Sequence, residues 1–272
     1  MIDRVPEPLQ TLMRRLTLRL RIPLNKLLAA YRYWSRKWYR FLVSDSTSWH
    51  QVDIQGKTRS EVRCFCISLL DQARFEARRQ FFQRNAKKYG WEVEFWPAVN
   101  GEIFKAEGYP NWLSSSHKVD NNEPFGAGAV GLLKTTKDIY EWAWEQELDM
   151  VVIFEDDAVI HSSPTVEIPK DFDLVFFNNR VQGDKTGLVK HGWGTDGYII
   201  SRRGIRKMLE IFDQVTADID MLIMMYAKSL ENYDYYVTRY RDRSKPQLDC
   251  YHIGPLVTHA GFFPSSVGLI SN

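Results

Sequence analysis

Residues 150–154 constrain the fold more than any other segment of the sequence. They read Met-Val-Val-Ile-Phe, without a polar residue, as expected of a central strand that is buried on both faces. Three carboxylates follow immediately, at Glu155, Asp156 and Asp157. In an open α/β sheet, ligands bind in the crevice outside the carboxyl ends of the strands. The segment therefore predicts an α/β sheet with an acidic, ligand-facing edge.

The rest of the chain alternates between strand and helix patterns. Apolar segments predict strands at 62–70, 92–96, 174–177 and 198–201. Helical periodicity predicts helices at 71–89, 129–146 and 203–212. This alternation favours a mixed, mostly parallel sheet with flanking helices. Residues 101–126 are rich in Gly, Pro, Ser and Asn, which indicates a long loop of the functional or mobile kind.

The composition fits one large folded domain with a small appendage. Of the 272 residues, 44% are hydrophobic and 26% are charged, which is ordinary for a globular protein. The three cysteines provide no disulfide framework, and the spacing of Cys64 and Cys66 is typical of one face of a buried strand. The sequence contains no run of 18 apolar residues, so we expect no membrane-spanning segment.

The amino-terminal segment is strongly basic. Residues 1–43 contain ten Lys or Arg and two acidic residues, a net charge of +8, so the remaining residues carry −6. Residues 8–42 are amphipathic and rich in Trp and Tyr, which is typical of a helix at an anionic membrane surface. A helical hairpin packed on the main domain fits equally well. No nucleic-acid-reading motif accompanies the charge. We expect residues 1–60 to form this segment and a linker from 44, and residues 61–272 to form the main domain.

The acidic triplet itself indicates a divalent cation. Adjacent carboxylates repel each other unless a cation holds them together, and oxygen ligands suit Mn²⁺ or Mg²⁺. Such an ion could neutralise the diphosphate leaving group of a nucleotide sugar. A solvated acidic turn after the strand is the alternative.

Five motifs in a fixed order extend this interpretation. They are Cys-Ile-Ser-Leu-Leu-Asp at 66–71 with Arg74 and Arg78, Trp-Pro-Ala-Val-Asn-Gly at 96–101, Val-Ile-Phe-Glu-Asp-Asp at 152–157, Gly-Tyr-Ile-Ile-Ser-Arg-Arg-Gly at 197–204, and Ile-Asp-Met at 219–221. Over residues 62–270 the chain resembles glycosyltransferase family 25, which contains lipopolysaccharide hexosyltransferases and collagen galactosyltransferases. Two positions depart from the family pattern. Residues 128–136 read Gly-Ala-Val-Gly-Leu-Leu-Lys-Thr-Thr where the family has G-E-I-G-C-x-x-S-H, and His259 replaces a late Gln.

The resemblance implies a GT-A, Rossmann-like fold and an inverting, metal-dependent hexosyltransferase. Its donor would be a UDP-sugar, with galactose or glucose as the hexose. Its acceptor would be a glycan, such as a lipid-linked lipopolysaccharide or capsule precursor, which implies a peripheral location on the cytoplasmic face of the membrane. One alternative is a catalytically degenerate member that acts as a scaffold. Another is a nucleotidylyltransferase, although Leu69, Leu70 and Asp71 lack the Gly- and Lys/Arg-rich loop of that class.

The resemblance also assigns roles to residues of the donor site. Asp157 is the first metal ligand, Glu155 contacts the metal or the ribose, and Asp156 does either or orients the loop. His259 and His252 are further candidates for metal or phosphate contacts, or are structural. Leu69, Leu70 and Asp71 end the first strand, where a nucleotide base lies.

Arg74 and Arg78 lie four residues apart on one predicted helix face. They suit a diphosphate, and a surface ion-pair role fits equally well.

Inverting transfer needs a base that removes the proton of the acceptor hydroxyl. Asp220 matches the family element, and Asp218 is the alternative, unless it caps the following helix. Glycines at 192, 194 and 197 surround Trp193 and would allow the backbone to approach a ligand. An ordinary turn also explains them.

Overall fold

Eleven strands and five α-helices form the part of the chain that the computed structural model describes, which is residues 48–58, 60–108, 110–113, 126–230 and 241–260. The strands are β1 (Trp49–Asp53), β2 (Val62–Ser68), β3 (Glu94–Pro97), β4 (Met150–Glu155), β5 (Ala158–Ile160), β6 (Thr165–Pro169), β7 (Leu174–Asn178), β8 (Val181–Gly183), β9 (Val189–Gly192), β10 (Gly197–Ser201) and β11 (Cys250–His259). The helices are α1 (Glu76–Lys88), α2 (Ile103–Glu107), α3 (Ala127–Glu145), α4 (Arg202–Ile211) and α5 (Ile219–Tyr226). Short 3-10 helices lie at Ala73–Phe75 and Lys228–Leu230.

The main sheet has seven strands in the order β3-β2-β4-β10-β7-β11-β5. The predicted strands at 62–70, 92–96, 150–154, 174–177 and 198–201 are confirmed as β2, β3, β4, β7 and β10. The predicted helices at 71–89, 129–146 and 203–212 are confirmed as α1, α3 and α4. The fold is therefore mixed α/β, with one central sheet and flanking helices.

The prediction that the sheet is mostly parallel is wrong. Strand β2 is parallel to β3 and β4, and β7 is parallel to β11. Strand β10 runs antiparallel to both of its neighbours, β4 and β7, and β5 runs antiparallel to β11. Core side chains cover both faces of β10, with Tyr198 and Ile200 in one cluster and Ile199 in another, so these residues are buried whichever way the strand runs. A continuous apolar run therefore does not record strand direction.

Burial in the central strand follows the two-residue repeat of a strand. Val151 and Ile153 pack in one core cluster with residues of α3, α4 and α5. Val152 and Phe154 pack in a second cluster with residues of α1 and β1. Cys64 and Cys66 both belong to this second cluster, which confirms the prediction that they share one buried strand face. Burial raises the pKa of the Cys64 thiol to about 12, so this thiol stays protonated at neutral pH.

The segment predicted as a linker contains part of the fold. Residues 49–53 form β1, which pairs antiparallel with β6, and Val52 and Ile54 are buried in the second core cluster. The described residues belong to a compact unit that begins at Asp45. The predicted amphipathic helix at 8–42 and the loop residues 114–125 lie outside the described residues, whereas α2 lies within the predicted loop. Among the helices of the described residues, none combines the length and hydrophobicity needed to span a bilayer.

Candidate active site

The acidic triplet lies at the carboxyl end of β4, as the apolar run before it predicted. Asp156 and Asp157 form the turn between β4 and β5, and both side chains are buried. Asp156 accepts a hydrogen bond of 2.6 Å from the Ser68 hydroxyl at the end of β2. The parallel pairing of β2 with β4 brings these two strand ends to the same edge of the sheet.

Arg78 neutralises part of this charge. Its guanidinium ion-pairs with Asp156 and lies 3.0 Å from Asp157 Oδ2. The Arg78 side chain is only 4% exposed, so the alternative of a surface ion pair does not apply to it. Arg74, one turn earlier, is exposed and lies over the Phe75 ring at 4.8 Å from the centroid. Only Arg74 of this pair therefore remains accessible for a ligand.

A second charged network surrounds Asp196, which immediately precedes β10. Its fully buried carboxylate accepts two hydrogen bonds of 2.7 Å from Arg180. Its Oδ1 atom also lies 3.1 Å from His259 Nδ1. The same imidazole nitrogen lies 3.7 Å from Asp157 Oδ2, so His259 joins the acidic turn to this second network.

Asp157, Asp196 and His259 together provide a donor set for a cation. One ligand atom from each lies within 4.8 Å of the other two. In addition, Asp157 Oδ1 is buried and accepts no hydrogen bond from the described residues. Buried polar atoms are normally satisfied, so an orphaned carboxylate oxygen indicates a missing partner. Carboxylate oxygens with one imidazole suit Mn²⁺, so these residues fit the ion.

This candidate donor set differs from the metal ligands that the sequence predicted. It brings Asp157 and His259 together, and it adds Asp196, to which the sequence assigned no role. Glu155 lies outside the donor set, and its Oε1 accepts a hydrogen bond of 2.6 Å from Thr195. The only sequence signal for Asp196 was its position beside the glycines of residues 192–197. His252 is buried, with Nε2 at 2.9 Å from the Asn178 carbonyl oxygen, in agreement with its structural alternative.

The ionisable groups of the cluster have shifted pKa values. Burial, followed by the negative charges of Asp157 and Asp196, raises the pKa of Glu155 to about 8. Burial also raises the pKa of Asp156, although Arg78 opposes this. Burial disfavours the charged form of Asp196 as well, but His259 and Arg180 outweigh it and lower the pKa of that carboxyl. The hydrogen bond with Asp196 raises the pKa of His259.

An open cleft adjoins the acidic turn. Its lining contains five of the six predicted nucleotide-contacting residues, namely Leu69, Arg74, Arg78, Glu155 and Asp156. Asn100 of the predicted 96–101 motif, with Gly101 and Glu102 of the predicted loop, completes one side. Asp71 is exposed and lies outside this lining.

The two candidate bases differ in their surroundings. Asp220 Oδ2 accepts the backbone N–H of Gly194 at 3.0 Å, and Oδ1 accepts that of Met221 at 2.7 Å. Asp218 is the N-cap residue of α5, but its side chain makes no capping hydrogen bond. The Asp218 side chain is accessible, yet surrounding protein atoms and the Asp220 charge raise its pKa to about 6. Asp218 is therefore the less constrained carboxylate of the two.

Comparison with known proteins supplies no family for the chain. No protein-family model matches it, and no curated protein matches it. Among solved structures, it is similar to a glycosyltransferase involved in the glycosylation of the major capsid of PBCV-1. The match has 8% identity and a TM-score of 0.35, and it covers 73% of this chain and 93% of the other. A similarity of this size does not define a function.

Proposed function

We propose that this protein is a metal-dependent glycosyltransferase that moves a hexose from a UDP-sugar to a glycan acceptor with inversion. The observation that carries the proposal is the Asp157, Asp196 and His259 donor set beside an open cleft, with one buried carboxylate oxygen lacking a partner among the described residues. The order of the five sequence motifs supports the same activity. Galactose and glucose are the hexoses that the family resemblance favours.

The donor would bind in the cleft at the carboxyl end of β4. Asp157, Asp196 and His259 would hold Mn²⁺ or Mg²⁺, which supplies charge neutralisation of the diphosphate. Arg74 is the accessible guanidinium of the cleft and suits a phosphate oxygen. Arg78 is already shared by two carboxylates, so its role is to fix Asp156 and Asp157 in place.

The proposed transfer is a single displacement at the anomeric carbon. The acceptor hydroxyl oxygen forms a bond to the anomeric carbon of the donor while its proton passes to a carboxylate. The bond from the anomeric carbon to the diphosphate oxygen breaks, and its electron pair leaves with UDP. Asp218 suits the base role because its side chain is accessible, whereas both carboxylate oxygens of Asp220 accept backbone N–H groups. A raised pKa of about 6 agrees with this role, since the carboxylate is then ionised, yet basic, near neutral pH. Asp220 instead fixes the loop at Gly194.

One observation favours a degenerate scaffold as the second candidate. Arg78 pairs with Asp156 and Asp157, and Arg180 pairs with Asp196, so guanidinium groups already compensate much of the acidic charge. Such a network could stabilise the fold without any catalytic turnover. The replaced motif at 128–136 agrees with this alternative.

Donor turnover separates the two candidates. Purified protein is incubated with UDP-galactose or UDP-glucose, with Mn²⁺ or with excess EDTA, and UDP release is measured. We expect Mn²⁺-dependent hydrolysis of at least one donor, together with a higher Tm in the presence of that donor. Full hydrolysis in EDTA would contradict the metal role. Absence of both turnover and thermal stabilisation across nucleotide sugars would favour the scaffold.

A further inference from the structure

Large exposed hydrophobic side chains concentrate around the candidate active site. Among the described residues they are Leu70, Ile103, Trp144, Trp193 and Met221, each 38–42% exposed. Trp144 lies at the other end of β4, away from the acidic turn. The Arg202 guanidinium lies 4.1 Å from its ring centroid, and this contact accounts for its position. Leu70 and Ile103 directly follow cleft-lining residues. Trp193 precedes Gly194, which donates a hydrogen bond to Asp220, and Met221 follows Asp220. Neither is part of the cleft lining.

Backbone contacts hold Trp193 in a fixed position. Gly192 and Gly194 on either side have φ values of 129° and 100°, a region that favours glycine. The Gly194 N–H donates to Asp220 Oδ2, and its carbonyl oxygen accepts from Asn178 Nδ2 at 2.7 Å. A Cβ atom at Gly194 would fall 2.4 Å from the Arg180 guanidinium, so this turn is also closely packed. The exposed ring is thus attached to a constrained backbone.

The same contacts connect the Trp193 segment to the candidate bases and to the candidate metal ligands. Gly194, next to Trp193, bonds to Asp220, and Asp220 in turn accepts the N–H of the exposed Met221. Asp196 of the metal donor set follows Trp193 by three positions and is held by Arg180. Within the described residues, the Trp193 indole makes no hydrogen bond or ring contact. An exposed indole close in the chain to these residues could contact the acceptor, which is the substrate that the base deprotonates.

We propose that Trp193 and Met221, whose chain neighbours Gly194 and Asp220 are hydrogen-bonded to each other, form the acceptor subsite. The Trp193 indole would stack on the apolar face of an uncharged pyranose. This inference rests on the proposed glycosyl transfer. A pyranose presents C–H groups on one face, which an indole can cover, and hydroxyl groups at its edge, which carboxylates can bind. Asp218 and Asp220 would repel a uronic acid, a sugar phosphate or an anionic lipid surface. The subsite therefore selects neutral sugars.

Binding can be measured without turnover. The indole N–H signal of Trp193 is assigned by its loss in Trp193→Phe, in protein saturated with UDP and Mn²⁺. It is then followed during titration with methyl galactoside, methyl glucoside and methyl glucuronide. We expect a shift with a neutral glycoside and a smaller one, or none, with the glucuronide. An unmoved signal with every neutral glycoside, or a signal that responds only to lipid vesicles, would overturn the subsite.

Kinetics supply a second readout with a matched control. Trp193→Ala should raise the KM for the acceptor, relative to the KM for the donor, by about tenfold or more, since about 1.4 kcal/mol corresponds to tenfold. Trp193→Phe should recover part of this loss. Trp144→Ala removes an equally exposed indole at the far end of β4 and should match the wild type. An equal effect of Trp193→Ala and Trp144→Ala would contradict the proposal.

The two proposals fail in different ways. Wild-type hydrolysis of UDP-sugars without an acceptor tests the transferase function alone. If hydrolysis occurs but the Trp193 signal ignores all neutral glycosides, the acceptor subsite is wrong and the transferase function stands. If the signal responds to neutral glycosides while no donor is hydrolysed, the sugar-binding role of Trp193 stands and the transferase function is wrong.

Discussion

Asp157 is the residue whose environment argues most directly for a metal ion. Its Oδ2 is 3.0 Å from Arg78, whereas its buried Oδ1 accepts no hydrogen bond from the described residues. Leaving a buried acceptor unsatisfied costs about 1–3 kcal/mol, and a bound cation would remove that cost. This oxygen, unsatisfied among the described residues, therefore supports the proposed cation site.

Asp157→Asn should remove the divalent cation while the fold is retained. Asn keeps the size of the side chain but lacks the charge, so we expect Mn²⁺ affinity to fall by about a hundredfold or more. Calorimetric titration with Mn²⁺ and the UDP-release assay measure the two consequences. Asp149→Asn is the control, because Asp149 is exposed just before β4 begins. Unchanged Mn²⁺ binding in Asp157→Asn would remove this residue from the metal site.

Asp218 gives the expected pH dependence of transfer. Its carboxyl pKa is raised to about 6, so the base is ionised above that pH and protonated below it. We expect turnover to be lost as the pH falls through about 6, by about tenfold per pH unit. The stability of the fold depends on pH in the opposite direction from turnover. Because the folded-state pKa is raised, ionisation of Asp218 disfavours the fold at higher pH, and Asp218→Asn should not lower the Tm at pH 8.

A comparison of two variants assigns the base. Asp218→Asn should lower turnover by about 10²–10⁴ and remove the acidic limb of the pH profile. Asp220→Asn should retain that limb, since Asp220 holds Gly194 rather than taking the proton. An acidic limb that persists in Asp218→Asn and disappears in Asp220→Asn would reverse the assignment.

At the scale of elements, the loop between β9 and β10 assembles the site. It carries Trp193, and through Gly194, Thr195 and Asp196 it contacts Asp220, Glu155 and Arg180. Strand β10 lies beside β4, and Gly197 pairs with Phe154. This antiparallel pairing places the start of β10 next to the end of β4, so Asp196 meets the acidic turn.

Gly194→Ala should affect the candidate metal site as well as the stability of the fold. Alanine in a left-handed conformation costs roughly 1–2 kcal/mol of unfolding free energy. Gly90→Ala is the matched control, because Gly90 also has a positive φ of 81° while its Cβ would meet only Pro164 at 3.9 Å. We expect both variants to lose stability in urea unfolding. Only Gly194→Ala should also weaken Mn²⁺ binding, by about 10–100-fold, since it displaces Arg180 from Asp196.

Equal Mn²⁺ affinities in the two glycine variants would contradict this coupling. They would show that Arg180 can move without disturbing Asp196. In that case the loop would support the acceptor side only.

At the scale of the whole molecule, the charge asymmetry bears on the location of the protein. Residues 1–43 carry +8, and each basic residue near an anionic leaflet contributes about 1 kcal/mol to binding. We propose that this segment holds the protein on the membrane, near a lipid-linked glycan acceptor. Co-sedimentation with anionic vesicles should occur at low salt, weaken at high salt and disappear in a chain that starts at Asp45.

The shortened chain in this test must keep strand β1. Strand β1 pairs with β6 and buries Val52, so a chain that starts at Lys57 would lose part of the fold as well as the basic segment. Starting at Asp45 removes the charge and keeps β1. Equal vesicle binding by the shortened and full-length chains would contradict a membrane role for residues 1–43.

The sequence by itself determined the local elements and one edge of the site. The apolar run at 150–154 fixed a buried strand and the place of Glu155, Asp156 and Asp157, because burial on both faces demands uninterrupted apolar residues. Helical periodicity fixed α1, α3 and α4 in the same way, since one face of each must pack on the sheet.

Only the three-dimensional fold shows the direction of β10 and the composition of the candidate cation site. Asp196 and His259 are 63 residues apart in the chain, yet their side chains lie 3.1 Å apart. Asp157 meets both only because β10 and β11 are folded against the same end of the sheet as β4. Residue patterns report how strongly each position is buried, whereas contacts between distant residues depend on strand order and direction. Those two properties are set by the packing of the whole chain.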